Sequence, residues 1–271
     1  MKKVLLLFPN FSLPQHVLDF ALQLARAQDV VLHGLFINSL TPVSRESYPF
    51  PNDIDTLDTD FTKETDEEES ILLETSLVKV FEDYCTGAGV KFFVRKIHEK
   101  QLDTLTDSSE FADLVVLSEG TEADMFSLKN FLTATRCPAI LVPPDYQKIE
   151  QVIFAYDDHF PGMHALKMFS YLLPAFRHLP TVFVSVVPSD VLDIEYREEI
   201  SSWLQHHFPQ VSLEILQGAV KEVLPQFINR FSNVLVVMGA YGRSGLSLLF
   251  KESMASVVTN QTQSSVFIAH N

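Results

Sequence analysis

The sequence predicts an α/β protein made of two tandem doubly wound domains, each a mainly parallel five-stranded sheet with helices on both faces. Three observations predict it. Short unbroken apolar runs alternate with helical patterns from the first residues onward. The opening strand and helix recur 148 positions later without a gap, Val4 falling on Val152, Leu5 on Ile153, His16 on His164 and Leu18 on Leu166. Later strands recur as well: residues 114–117 match 235–238 at an offset of 121, and residues 139–142 match 266–269 at an offset of 127.

Residues 4–8, VLLLF, form a continuous apolar run closed by Pro9, as expected of a strand covered on both faces. Val17, Leu18, Ala21, Leu22 and Ala25 then recur at helical spacing, with Ser12 and Pro14 as entry residues. Residues 30–37 read as the second strand, completing a right-handed βαβ unit. The segment 41–70 breaks the pattern with Pro42, Pro49 and Pro51 and with ten carboxylates, so it reads as a solvated loop running into a helix near residues 71–84. A cation-binding loop has less support, because the calcium-loop spacing with its central Gly is absent. The offsets 148 and 121 differ by 27 residues, about the size of this acidic insert. Third strands fall at 90–94 and 212–216. The two units join near residues 143–150, giving domains 1–145, with the insert at 41–70, and 150–271. Doubly wound sheets place ligands at the carboxyl ends of their strands, beside the switch in strand order.

The chain of 271 residues is 46% hydrophobic and carries 35 Asp and Glu against 20 Lys and Arg, a net charge of -15. That charge repels a phosphate backbone, so nucleic acid is not expected as a partner. No apolar run is long enough to cross a bilayer, which takes about 20 residues, so no membrane association is expected either. The two cysteines, Cys85 and Cys137, form no metal or disulfide pattern. A cytoplasmic location is expected.

After the strand at 235–238 comes Gly239-Ala-Tyr-Gly242-Arg-Ser-Gly245 and, further on, Glu252-Ser253 opening an apolar helical pattern. Glycines after a parallel strand let backbone amides approach an anion, and the following helix adds its free amides. This is neither a dinucleotide fingerprint nor a Walker loop. Taken alone, a plain tight turn explains it equally well.

With Met238 before it and Glu252-Ser253 nine residues beyond Gly242, the stretch resembles the universal stress protein family, whose nucleotide-binding members carry G-x2-G-x9-G-[ST]. Asp157, after the strand VIFAY, matches that family's acidic residue, and Ala165-Leu166 match its first helix. The first half resembles the family more loosely, through residues 114–117 and Cys137-Pro138-Ala-Ile-Leu-Val. The resemblance implies a stress-response binding protein. Adenine and ribose would lie near Asp157 and Val187, beside Met238, with phosphates on Gly239, Gly242 and Ser253. It implies ATP with Mg²⁺ as the cofactor, pairing of the two domains within the chain or of two chains as a homodimer, and no catalytic residues.

Glu252 departs from the motif, standing where the family has Gly. Two unit charges about 4 Å apart repel by roughly 4 kcal/mol at an effective dielectric of 20, a several-hundredfold loss of affinity that a bridging Mg²⁺ would reverse. The first half departs further. Ser118 replaces Gly239, Thr121 replaces Gly242, Pro9 replaces Asp157, and Glu119 and Glu122 add negative charge, so this half is expected to have lost the site. None of the nine histidines forms a metal or triad pattern, and no nucleophile elbow occurs. His159 and His164 read as surface or packing residues, His206-His207 as an exposed helix end, and Trp203, Phe92, Phe93 and Phe227 as core. Three functions stay open: a non-enzymatic nucleotide-binding signalling protein, a slow nucleotide-dependent hydrolase using Asp157 or Glu252 to hold a metal, and a structural interaction module with no ligand.

Overall fold

The computed structural model of the chain describes residues 1–9, 12–37, 59–97, 102–119, 131–132, 134–158, 160–239 and 264–269, with only the backbone for 59–71 and 102–104. The first half contributes β1 (Lys2–Pro9), α1 (Gln15–Ala27), β2 (Val30–Ile37), α2 (Thr59–Gly87), β3 (Phe92–Ile97), α3 (Leu102–Glu110), β4 (Leu114–Ser118) and β5 (Ala139–Val142). The second contributes β6 (Gln151–Tyr156), α4 (Phe160–Leu172), a 3₁₀ turn at Pro174–His178, β7 (Thr181–Val187), α5 (Arg197–His207), β8 (Val211–Gln217), α6 (Val220–Ile228), β9 (Val234–Gly239) and β10 (Ser265–Ala269).

All strands within a half run parallel, in the order β3-β2-β1-β4-β5 and its repeat β8-β7-β6-β9-β10. The two last strands pair antiparallel, Ile140 opposite Phe267, so the halves form one ten-stranded sheet rather than two separate ones. The pairing leaves neither apolar last strand as an open edge.

Successive side chains of a strand point to opposite faces. On β1, Val4, Leu6 and Phe8 therefore enter one core while Leu5 and Leu7 enter the other. Both cores cross the join. Phe267 packs edge-on against Phe169 of α4 at 5.5 Å, and Phe169 meets Phe154 at 5.4 Å. In the first half Phe8, Phe36 and Phe81 form the corresponding aromatic group, with centroids 5.0–5.9 Å apart. Gly34 makes room for it, because a Cβ there would stand 2.9 Å from the Phe81 ring.

Polar tethers also bridge the halves. The Lys2 ammonium donates to the carbonyls of Tyr171 (2.7 Å) and Leu172 (2.5 Å), placing a cation on the C-terminal end of α4, where the helix dipole favours one. Gln28 donates to the same Leu172 carbonyl at 2.8 Å. Gln23 of α1 exchanges hydrogen bonds with the backbone of Ile149 and takes a third from the Tyr146 hydroxyl, fastening the connecting segment to the first half.

Two expectations need correction. The helix foreseen near residues 71–84 begins at Thr59, inside the acidic insert, because Glu is a good helix former and carboxylates suit a helix N-terminus. Phe93, read as core, is 62% exposed: it lies on the sheet's outermost strand, on a face that α3 does not close. The rest of the insert, residues 41–58, lies outside the described residues.

Because one sheet and two shared cores carry both halves, urea should unfold the chain in a single transition. Phe267→Ala should lower its stability by about 3–5 kcal/mol. Two separable transitions, only one of them moved by the substitution, would contradict this. Burial raises the thiol pKa of Cys85 to about 11 and of Cys137 to about 12. Both should therefore resist a thiol reagent at pH 8 in the native protein and react once it is denatured. Since these folded values lie above the unfolded value of about 8.5, the stability they contribute is complete below that pH and is lost as pH rises toward the folded values. Unfolding titrations from pH 8 to 11 check the sign.

Candidate functional site

The strand order reverses between β6 and β9, and there Asp157, Met238 and Gly239 come together with Tyr156, Val184 and Val186 around a cavity of about 50 Å³. Ligand pockets usually enclose roughly 300–1,000 Å³. The described residues thus supply one wall of a crevice and not an enclosure. Val187 ends β7 as expected, but its side chain is buried in the aromatic core and its neighbour Val186 faces the cavity. Strand alternation causes this: two adjacent residues cannot share a face. Gly242, Glu252 and Ser253, together with His159, lie outside the described residues.

Gly239 is held by packing. A Cβ there would stand 2.5 Å from the carbonyl carbon and oxygen of Pro161, at the first turn of α4. Gly162 is equally confined, its missing Cβ lying 2.8 Å from the Tyr156 ring and 2.9 Å from Asp157 Oδ1. The helix therefore enters close against the ends of β6 and β9. Asp157 lies beside its first turn, where a carboxylate is electrostatically favoured. Tyr156 stacks at a tilt on Phe183, 5.2 Å between centroids, and burial, reinforced by Asp158 and Asp157, lifts its phenol to about 12. Asp158 adopts a left-handed conformation (φ 63°) and accepts a hydrogen bond from the amide of Glu195 at 3.2 Å. That contact draws the segment before α5 toward the crevice.

The first half builds its switch point differently. Ser118, at the Gly239 position, is buried, and its hydroxyl meets His16 Nε2 of α1 at 2.8 Å. Desolvation lowers the His16 pKa, opposed by Asp19. Pro9 offers no carboxylate. A neutral serine–histidine pair thus fills the place where the second half has glycine and an acid. His16 was visible in the repeat, but only the tertiary fold shows that Ser118 is its partner.

No protein-family model matches the chain, and no curated protein gives a significant match. Solved structures do. A universal stress protein from Archaeoglobus fulgidus DSM 4304 superposes with a TM-score of 0.68 at 14% identity, over 98% of this chain and 96% of that one. A putative universal stress protein from Pseudomonas aeruginosa UCBPP-PA14 gives 0.59 at 13% identity, over 100% and 93%. This is the universal stress protein fold. Both likenesses cover the two halves and the join between them. Within that fold, no three His, Cys, Asp or Glu side chains gather as a metal group among the described residues. Among the same residues, no helix is long and apolar enough to cross a membrane. Two further histidines are tied into local structure: His206 and His207 bond the carbonyls of Ser202 and Trp203 one turn back, and His207 stacks on Trp203 at 4.2 Å.

Gly239→Ala should cost about 1–3 kcal/mol by forcing α4 away from β9. A urea titration showing unchanged stability would mean that the helix end yields freely and that Gly239 is not fixed by packing.

Proposed function

We propose that the chain is a stress-response binding and signalling protein of two universal stress protein-like domains, residues 1–145 and 150–271, whose second domain holds an adenine nucleotide without turning it over. The observation that carries this reading is the meeting of Asp157, Met238 and Gly239 at the β6–β9 switch, where doubly wound sheets take their ligands. Asp157 and the end of β7 would face ribose and adenine. Gly239, Gly242 and Ser253 would face phosphates, and Mg²⁺ would offset the charge of Glu252. The first domain, with Pro9 and the His16–Ser118 pair at its switch, would bind none and would serve as the pairing partner.

A second reading, a structural module without ligand, is favoured by the 50 Å³ cavity and by the use of Gly239 to seat α4. Mass spectrometry of small molecules released from the purified full chain separates the two. The first reading expects an adenine nucleotide, lost in Asp157→Ala. Glu252→Gly should raise ATP affinity in calorimetry without Mg²⁺, since it removes a charge and a Cβ from the phosphate approach. No released nucleotide and no heat of ATP binding, with or without Mg²⁺, would leave the structural module standing.

A further inference from the structure

The repeat supplies an internal control for a second concave surface, which shares no lining residue with the β6–β9 crevice. Strands β1, β2 and β3 place Lys3 and Leu5, His33 and Leu35, and Phe93 and Arg95 on one face of the sheet. In the strand register, Leu5 stands opposite His33, and His33 opposite Phe93. With Asp107 and Ser108 of α3 and Phe111 just beyond it, they line an open groove of about 430 Å³. That volume lies within the range of small-molecule sites.

The second half has no such chemistry. The repeat and the same register put Gln151, Val182, Ser212 and Glu214 where the first half has Lys3, His33, Phe93 and Arg95. There α6 lies against the sheet, and Val182 and Leu216 pack with Phe227 and Phe231 in the core. A groove left by the fold alone would appear in both halves with similar lining. Instead one half carries an amide, a hydroxyl and a carboxylate beside Val182 at these positions, and the other lines them with cations and rings.

Two features of the lining choose the ligand. Its rings are available: Phe93 stacks on His33 at 4.9 Å and 32° yet stays 62% exposed, and Phe111 is 73% exposed. Its charge opposes that of the whole chain. Lys3 and Arg95 face the single carboxylate Asp107, in a protein of net charge -15, and among the described residues neither cation is in an ion pair. Arg95 makes only a long 3.5 Å contact with the Ser108 hydroxyl, and the Lys3 backbone amide, not its ammonium, engages Asp113. Burial and the nearby Lys3 hold the His33 pKa below its usual value, so at neutral pH its ring presents a flat neutral face.

We propose that the groove between β1–β3 and α3 binds a small, flat aromatic anion, its ring against Phe93 and Phe111 and its carboxylate, sulfonate or phosphate on Arg95 and Lys3. The site is independent of the nucleotide reading.

Calorimetry on the full chain with naphthalene-2-carboxylate, and with its neutral carboxamide as comparison, tests it. The carboxylate should bind and the carboxamide should bind at least several-fold more weakly. Arg95→Gln should weaken the carboxylate about tenfold or more, from the loss of a charge-assisted bond. Phe93→Ser should weaken both probes several-fold. Both side chains are exposed, so neither substitution threatens folding, which circular dichroism verifies. Leu192→Ser, on an exposed apolar residue of the other half, should change nothing. Absence of binding, equal affinity for the two probes, or wild-type affinity in Arg95→Gln and Phe93→Ser would each overturn the proposal.

Discussion

The antiparallel pairing of β5 with β10 sets the geometry of everything else. Every other neighbouring pair of strands is parallel, so this one ladder reverses the strand direction between the halves. The carboxyl ends of β1 and β4 therefore open at one end of the sheet, and those of β6 and β9 at the other. No ligand at one switch point can reach the other. The same pairing merges the cores, since Ile140 and Phe267 belong to the cluster that also holds Val4, Phe154 and Phe169.

Most of this architecture was legible in the sequence because it rests on apolar strand runs, which are local and repeat. β2 and β5 fall where the runs put them, and β7 extends the expected strand only at its start. Legibility failed where a side chain's fate depends on distant partners. The apolar look of Phe93 could not reveal that the neighbouring helix leaves its face open. Acidic text without apolar spacing gave no sign that α2 starts at Thr59. At the candidate site the sequence placed Asp157, Met238 and Gly239 together, because each ends a strand that the repeat had aligned. It missed that Val186 rather than Val187 faces the cavity, since one residue of strand phase decides it, and that Pro161 sits on Gly239, a contact between segments far apart in sequence.

The two halves diverged at matching positions by exchanging one kind of polar chemistry for another. At the switch, an acid and a glycine in one half correspond to a proline and a histidine-bonded serine in the other. On the β1–β3 face and its counterpart, Arg95 corresponds to Glu214 and Phe93 to Ser212. Most buried strand positions kept their apolar character, as expected where burial stabilises the shared core and any polar atom left unpaired costs about 1–3 kcal/mol. Leu32 and Phe36 of β2, however, correspond to the buried Thr181 and Ser185 of β7. Divergence at strand ends and on the open face costs far less, because water satisfies whatever polar group appears.

The same sheet limits how the two ends can communicate. A slip of one residue at the β5–β10 ladder would carry Phe267 and Ile140 out of their core, so the join has one register and resists sliding. The Lys2 and Gln28 bonds to the end of α4 oppose rotation as well. A ligand shifts an equilibrium only by its differential affinity for two states. Beside the β6–β9 crevice, the exposed segment around Leu192 and Tyr196 is joined through the Glu195 amide to Asp158, so it is the surface that a ligand held there as proposed would affect first. The join gives the halves shared cores while turning their switch points to opposite ends of the sheet.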